Sequence, residues 1–131
     1  MIVLDTHVLI WWISDPEKLS HAARKAIANE KAASTLAVSS ISIWEIYLLV
    51  KKERLKLTMD TDKWVEKITS LPYVQFVPVD NSIAAKSVTL PGEFHSDPAD
   101  RMIVATARER GIVLITADER IRQYSHVQTL W

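Results

Sequence analysis

An α/β fold, with a mainly parallel central sheet flanked by helices, is predicted by three features of the chain. Short apolar runs alternate with longer stretches of helical periodicity from Ile2 to Leu130. Strands that alternate with helices pair in parallel, with helices on both faces. Four acids, Asp5, Glu45, Asp100 and Asp118, each follow an apolar run directly or sit in the first turn of the helix after it. The carboxyl ends of parallel strands gather along one edge, which is where open α/β sheets bind ligands.

The elements follow in order. Ile2–Leu4 reads as a short buried strand, Asp5-Thr6 as a turn and His7–Ile13 as a helix broken by Ser14-Asp15-Pro16. Ser20, an N-cap type, opens a helix to about Glu30. Leu36–Val38 is the second strand, and Ser39–Ser42 leads into the apolar helix Ile41–Val50 that carries Glu45. Lys51, Lys52, Arg54 and Lys56 make a basic exit from it, favourable at a helix C-terminus and available to track a polyanion. Asp60 or Thr61 caps a helix over Asp62–Ser70, Val74–Val79 is the third strand, and Asn81 caps a helix to Val88. After the loop Leu90–Ser96, Pro98–Arg110 is a helix with Pro in its first turn and Gly111 just past its end. Ile112–Ile115 is a further strand, Thr116-Ala117-Asp118 leads into a short helix, and Val127–Leu130 adds an edge strand. With 131 residues and no internal repeat or linker, residues 1–131 are expected to form one domain.

Composition narrows the chemistry. The absence of Cys removes disulfides, thiolate metal sites and a cysteine nucleophile, and it suits a reducing cytoplasm. No apolar stretch reaches a membrane span, and the start Met1-Ile2-Val3-Leu4-Asp5 lacks the marks of a signal peptide. The expectation is a cytoplasmic protein with no membrane partner. Only Gly92 and Gly111 occur, which excludes glycine-rich phosphate cradles and a G-x-S-x-G elbow. Formal charge is zero, but setting aside the four acids leaves twelve acids against sixteen bases, so the remainder is net positive. A negative pocket in a mildly positive body suits a phosphodiester held through bound metal.

Each acid has a structural and a chemical reading. Asp5 can cap the first helix. Ser42-Ile43-Trp44-Glu45 fits a capping box, yet Glu45 shares a helix face with Ile41, Leu48 and Leu49. With little polar surface around it, that carboxylate needs a partner or a cation. Asp97 fits the N-cap of Pro98–Arg110, and Asp100 the N3 position at the margin of the apolar face of Ala99, Met102, Ile103 and Thr106. Arg101 and Arg108 are expected to point outward. Asp100 is therefore preferred as a ligand, with Asp97 auxiliary. Asp118, or Thr116, can cap the helix that follows. Four carboxylates at one sheet edge repel one another, and oxygen-preferring divalent cations relieve that repulsion, so the pattern points to a metal-dependent hydrolase. The adjoining tryptophans Trp11 and Trp12 and the apolar helix Ile41–Val50 serve either burial or an interface.

These residues match a known family. Leu4-Asp5-Thr6-His7-Val8-Leu9-Ile10-Trp11 resembles the start of PIN-domain ribonucleases of the VapC toxin type, and Ser42-Ile43-Trp44-Glu45-Ile46 the second block. The run His95 to Ala107, containing Asp97-Pro98-Ala99-Asp100-Arg101, resembles the third, and Thr116-Ala117-Asp118 the fourth. The resemblance covers nearly the whole chain in order and departs at Ala99, where many relatives carry an aromatic residue. It implies a toxin endoribonuclease of a toxin–antitoxin pair that binds Mg²⁺ or Mn²⁺ through Asp5, Glu45, Asp100 and Asp118. It also implies a homodimer, held inactive by a cognate antitoxin whose C-terminal segment lies over the acidic groove.

On that reading Asp5 and Asp100 are the principal ligands, and Glu45 and Asp118 serve a second ion. An acid free of metal accepts a proton from water, and hydrolysis leaves 5′-phosphate and 3′-hydroxyl ends. Thr6 and Thr116 orient ligands or substrate, or only satisfy turns; Arg101 contacts phosphate, or is only solvated; one tryptophan near the groove can stack on an RNA base. His7 and His95 flank the acids without a spacing that demands a role. An inactive PIN-like binding module and a phosphoacceptor signalling domain are the alternatives. The second would show paired acids after the first strand and a Lys after the last, and this chain has Asp5-Thr6 and Thr116-Ala117-Asp118 there.

Overall fold

In the computed structural model, which describes residues 1–131, five parallel strands form one sheet. The chain runs β1 (Ile2–Leu4), α1 (Thr6–Ser14), α2 (His21–Ala32), β2 (Leu36–Ser39), α3 (Ile41–Lys51), α4 (Thr61–Thr69), β3 (Val74–Val77), α5 (Asn81–Val88), α6 (Pro98–Arg110), β4 (Val113–Ile115), α7 (Glu119–Arg122) and β5 (Thr129–Leu130), with a 3-10 turn at Pro16–Lys18. Strand order is β3-β2-β1-β4-β5. Leu4 is in register with Val38 on one side and Ile115 on the other. The expected mainly parallel sheet is parallel throughout. No helix is long and apolar enough to cross a membrane.

Side chains of successive strand residues leave opposite faces, so each strand feeds two cores. Ile2, Leu4, Leu36, Val38 and Ile115 pack beneath α1, α2, α3 and α4, with Val8, Leu9, Ile27, Ile46 and Trp64. Val3, Ala37, Val77 and Leu114 pack on the other face against Ile83 of α5, Ile103 and Val104 of α6 and Ile121 of α7. Trp64 is buried, and its indole N–H donates to Ser14 Oγ (3.1 Å), tying α4 to the end of α1. Two central strands buried on both faces explain why their apolar runs are unbroken.

Several helix ends follow the sequence closely. Ser20 accepts from the Ala23 N–H, and Pro98 and the left-handed Gly111 bracket α6. Others differ. The helix after Asp5 begins at Thr6, and Asp80, not Asn81, caps α5 by accepting from the Ile83 N–H (2.9 Å). The third strand stops at Val77, because Pro78 has no N–H to continue the ladder. Ser42 is no cap: α3 starts at Ile41 after Ser40, and buried Ser42 instead shares a 2.8 Å hydrogen bond with the Thr6 hydroxyl. The α3 surface is also less enclosed than its composition implied, since Trp44 is 52% and Tyr47 40% exposed.

The central strand carries the greatest packing burden. Truncating fully buried Leu4 to Ala should lower unfolding free energy by about 2–5 kcal/mol, read from urea midpoints.

Candidate active site

Strand order makes the crevice. From β1 the chain moves outward to β2 and β3, whereas β4 and β5 lie on the other side of β1. Beyond the carboxyl ends of β1 and β4 the connections diverge, the position where open α/β sheets form a ligand-binding cleft. Asp5 leaves β1 there, and Thr116 and Asp118 leave β4. Buried Asp5 is held at both oxygens. The Thr6 N–H donates to Oδ1 (2.8 Å) and the Thr116 hydroxyl to Oδ2 (2.7 Å). The same Thr116 oxygen accepts the Asp118 N–H (3.0 Å), so one hydroxyl joins the two junctions. Asp118 in turn accepts from the N–H groups of Arg120 and Ile121, capping α7.

The opposite wall comes from α3 and α6. Glu45 of α3, Asp97 and Asp100 each bring a carboxylate oxygen within 4.8 Å of the others. Asp97 Oδ1 caps α6 by accepting the Asp100 N–H (2.9 Å), leaving its second oxygen for the cleft. Glu45 is half-buried at the cavity edge, so it does reach solvent, unlike the enclosed carboxylate its apolar helix suggested. Asp5, Glu45, Asp97, Asp100 and Asp118 all line one open cavity of ≈350 Å³.

This concentration of charge shifts the acids together. Burial and then the neighbouring carboxylates Asp5, Asp97, Asp118 and Glu45 push Asp100 up to about 8. Burial raises Asp5 against the opposing Thr116 and Thr6 hydrogen bonds, and burial followed by repulsion from Asp5 and Asp97 raises Glu45. The protein's own cations offset this repulsion only in part, since all three carboxylates stay raised. The donor set consists of carboxylate oxygens without sulfur, which fits a hard divalent cation such as Mg²⁺ or Mn²⁺.

Two basic residues not singled out by their spacing stand against the acids, and of these Arg120 lines the cavity. His95 Nε2 lies 3.2 Å from Asp100 Oδ2, outside hydrogen-bond geometry, and is buried without a partner. Its Nδ1 accepts the Asp97 N–H (3.3 Å). Burial, then Arg120, lowers the His95 pKa and favours the neutral ring. Arg120 Nη2 approaches Asp118 Oδ2 (3.5 Å) and Asp100 Oδ2 (3.7 Å) from a largely exposed position.

Arg101 is directed elsewhere. Its Nε donates to Ser87 O (2.7 Å), Nη1 to Phe94 O (2.8 Å) and His95 O (3.0 Å), and Nη2 to Val88 O (3.2 Å). Instead of pointing outward or reaching phosphate, it satisfies carbonyls at the end of α5 and ties the following loop to α6. Thr116 is spent on Asp5 and braces that acid, whereas the buried Thr6 hydroxyl bonds Ser42 and ties α1 to α3. Lys51, Lys52, Arg54 and Lys56 are exposed at and beyond the C-terminal end of α3.

Two outcomes follow from this geometry. Asp100 titrates near 8 when folded and near 3.8 when unfolded, so the unfolded state binds fewer protons between those values. In chelator, the stability present below pH 3.8 should fall as pH rises and level off above about 8. Thermal melts across that range should show the fall, with Mg²⁺ reversing it at the alkaline end and Asp100→Asn flattening it. Arg101→Met should cost about 1–3 kcal/mol and speed amide exchange in residues 89–96, because four carbonyl contacts disappear.

Comparison with known proteins agrees with the fold. The PIN domain family model matches residues 2–127. Ribonuclease VapC22 of Mycobacterium tuberculosis is 40% identical over 132 aligned positions, covering 99% of this chain and 98% of that protein. VapBC2 from Rickettsia felis, solved bound to a DNA fragment from its promoter, superposes with a TM-score of 0.73 at 16% identity, over 99% of this chain and 98% of the other. A toxin–antitoxin complex from Klebsiella pneumoniae gives 0.66 at 20% identity, over 100% and 97%. The structural likenesses establish a shared fold, while the closer sequence match extends over the segments that supply all five carboxylates. The chain belongs to the PIN-domain family, alongside the VapC ribonucleases.

Proposed function

We infer that this PIN domain is a divalent-metal-dependent endoribonuclease and the toxin of a toxin–antitoxin pair. The observation that carries the chemistry is the set of mutually repelling carboxylates around one open cavity, with Asp100 raised to about 8. The full-length likeness to a ribonuclease supplies the substrate class.

Glu45, Asp97 and Asp100 are the proposed core of the ion site, with Asp5 and Asp118 completing its negative wall. That brings Asp97, first expected as auxiliary, into the core and moves Asp5 from principal ligand to the wall, within the expected set of Asp5, Glu45, Asp100 and Asp118. When bound, Mg²⁺ or Mn²⁺ neutralises the acids, polarises the scissile phosphate and makes water more acidic. The chain's own groups do the remainder. Thr116 holds Asp5 in one orientation, and Asp97 anchors the α6 backbone beside Asp100. An acid of the cluster left free of the ion would accept the proton from attacking water. Arg120, exposed at the rim beside Asp118, is placed to meet a phosphate oxygen of a bound strand.

An RNA substrate implies the cytoplasm as the working compartment. The toxin–antitoxin complex among the structural neighbours supports a cognate antitoxin as partner. Exposed Trp44 and Tyr47, three residues apart on α3, form the apolar face we propose for a homodimer. The family assignment sets aside the phosphoacceptor reading.

Incubating purified, antitoxin-free protein with RNA tests the conclusion. Cleavage should require Mg²⁺ or Mn²⁺, stop in chelator, and fall on the order of 100-fold or more in Asp100→Asn. End-group analysis should find 5′-phosphate. Cyclic phosphate ends, or undiminished cleavage in chelator, would refute metal-assisted hydrolysis. Intact RNA in the presence of demonstrated metal binding would favour an inactive binding module.

A further inference from the structure

The acid cavity has one large apolar component that the metal chemistry does not use. Of nine lining residues only two are hydrophobic, Trp11 and Ala117. Carboxylates, a cation and phosphate have no need of an indole. Trp11 lies on α1, the helix that Asp5 caps, about 9 Å along its axis from that acid at about 1.5 Å per residue. His7 lies one turn nearer on the same helix face. The two rings stand 5.9 Å apart at 55°, and Trp11 is backed by Trp131 at 5.9 Å and 53°. Trp11 also packs against the core beneath α1, so its indole is already ordered before any ligand arrives. His7 is exposed and also lines the cavity.

We propose that His7 and Trp11 form a nucleobase subsite. An unpaired base of single-stranded RNA stacks there while the adjoining phosphate lies over the acid cluster. The inference rests on RNA being the substrate and adds a specificity element that the acids cannot supply. A phosphate held at the cluster leaves its own nucleotide, or the next, within reach of α1. Stacking on an aromatic face is open to every base but requires that base to be unpaired. The subsite therefore selects single strands over duplexes without reading a particular base.

The test separates stacking from cleavage. In the Asp100→Asn background, where cleavage should be slowed on the order of 100-fold, fluorescence anisotropy in Mg²⁺ compares an oligoadenylate of about ten nucleotides with an abasic strand of equal length. The parent should bind the base-bearing strand about tenfold more tightly. Trp11→Leu, which keeps apolar bulk but removes the π face, should bring that ratio to within about twofold, and Trp11→Phe should retain most of it. Should Trp11→Leu fail to fold, exposed His7→Ala provides the second reading, with an expected loss of about threefold. A ratio near one in the parent, no binding of the base-bearing strand, or a ratio unchanged by both Trp11→Leu and His7→Ala would overturn the subsite. A base preference in the parent with no RNA cleavage by the unmodified protein would remove the nuclease reading and leave the subsite standing. Cleavage without that preference would do the reverse.

Discussion

Like charges held together against their own repulsion set the terms for this molecule. Five carboxylates face one cavity, and burial together with mutual repulsion raises three of them, Asp5, Glu45 and Asp100. Solvent would relieve the strain if the cleft relaxed, so the surrounding structure must keep it in place. It does so by giving three of the acids a second task. Asp5, Asp97 and Asp118 cap the helices α1, α6 and α7, and each accepts backbone N–H groups that the helix cannot satisfy itself. The helix starts gain from the same carboxylates whose crowding opposes folding. A cation reconciles the two, which links metal binding to stability as well as to chemistry.

The sheet supplies the rigidity. Asp5 extends the backbone pairing one residue past β1 through its N–H to Ile115 O (3.0 Å), and Thr116 extends β4 in the same way through its N–H to Leu130 O (3.3 Å). Both residues are therefore located by the ladder before their side chains meet. Side-chain hydrogen bonds then set orientation, with the Thr116 hydroxyl spanning Asp5 and Asp118. On the other wall Arg101 stabilises the loop that carries His95, immediately beside the acid it follows in sequence. The neighbouring positions 100 and 101 thus divide between chemistry and support.

A crevice of this kind separates affinity from selectivity. The acids and their cation attract any phosphodiester backbone alike, because phosphate carries no sequence information. Discrimination has to come from the rim, where α1 contributes aromatic surface and the start of α7 contributes a guanidinium. Variation on α1 or α7 can therefore change what is cut while the carboxylates continue to cut it.

Much of this protein is local and was legible as such. Unbroken apolar runs mark strands buried on both faces, Ser20 and Gly111 mark helix ends, and Asp5 and Asp118 appear where a strand gives way to a helix, whereas Asp97 and Asp100 open α6 after a loop and Glu45 lies past the first turn of α3. Such signals act within a turn or two of chain, so they survive in the sequence. The tertiary structure decided what stands beside what. Thr116 and Asp5 are 111 residues apart and meet only because β4 pairs with β1. Ser42 had the spacing of a capping box, yet it was drawn inward once α1 brought Thr6 to it. Arg101 sat on the expected outer margin of α6 until the end of α5 and its loop offered it four carbonyls. Asp97 joined Glu45 and Asp100, His95 came up against Asp100 and Arg120 entered the cleft, through the packing of α3, α6 and the β4–α7 turn. Spacing along the chain determines which residues a helix or strand can present, but side-chain partners are chosen by contacts between elements distant in sequence.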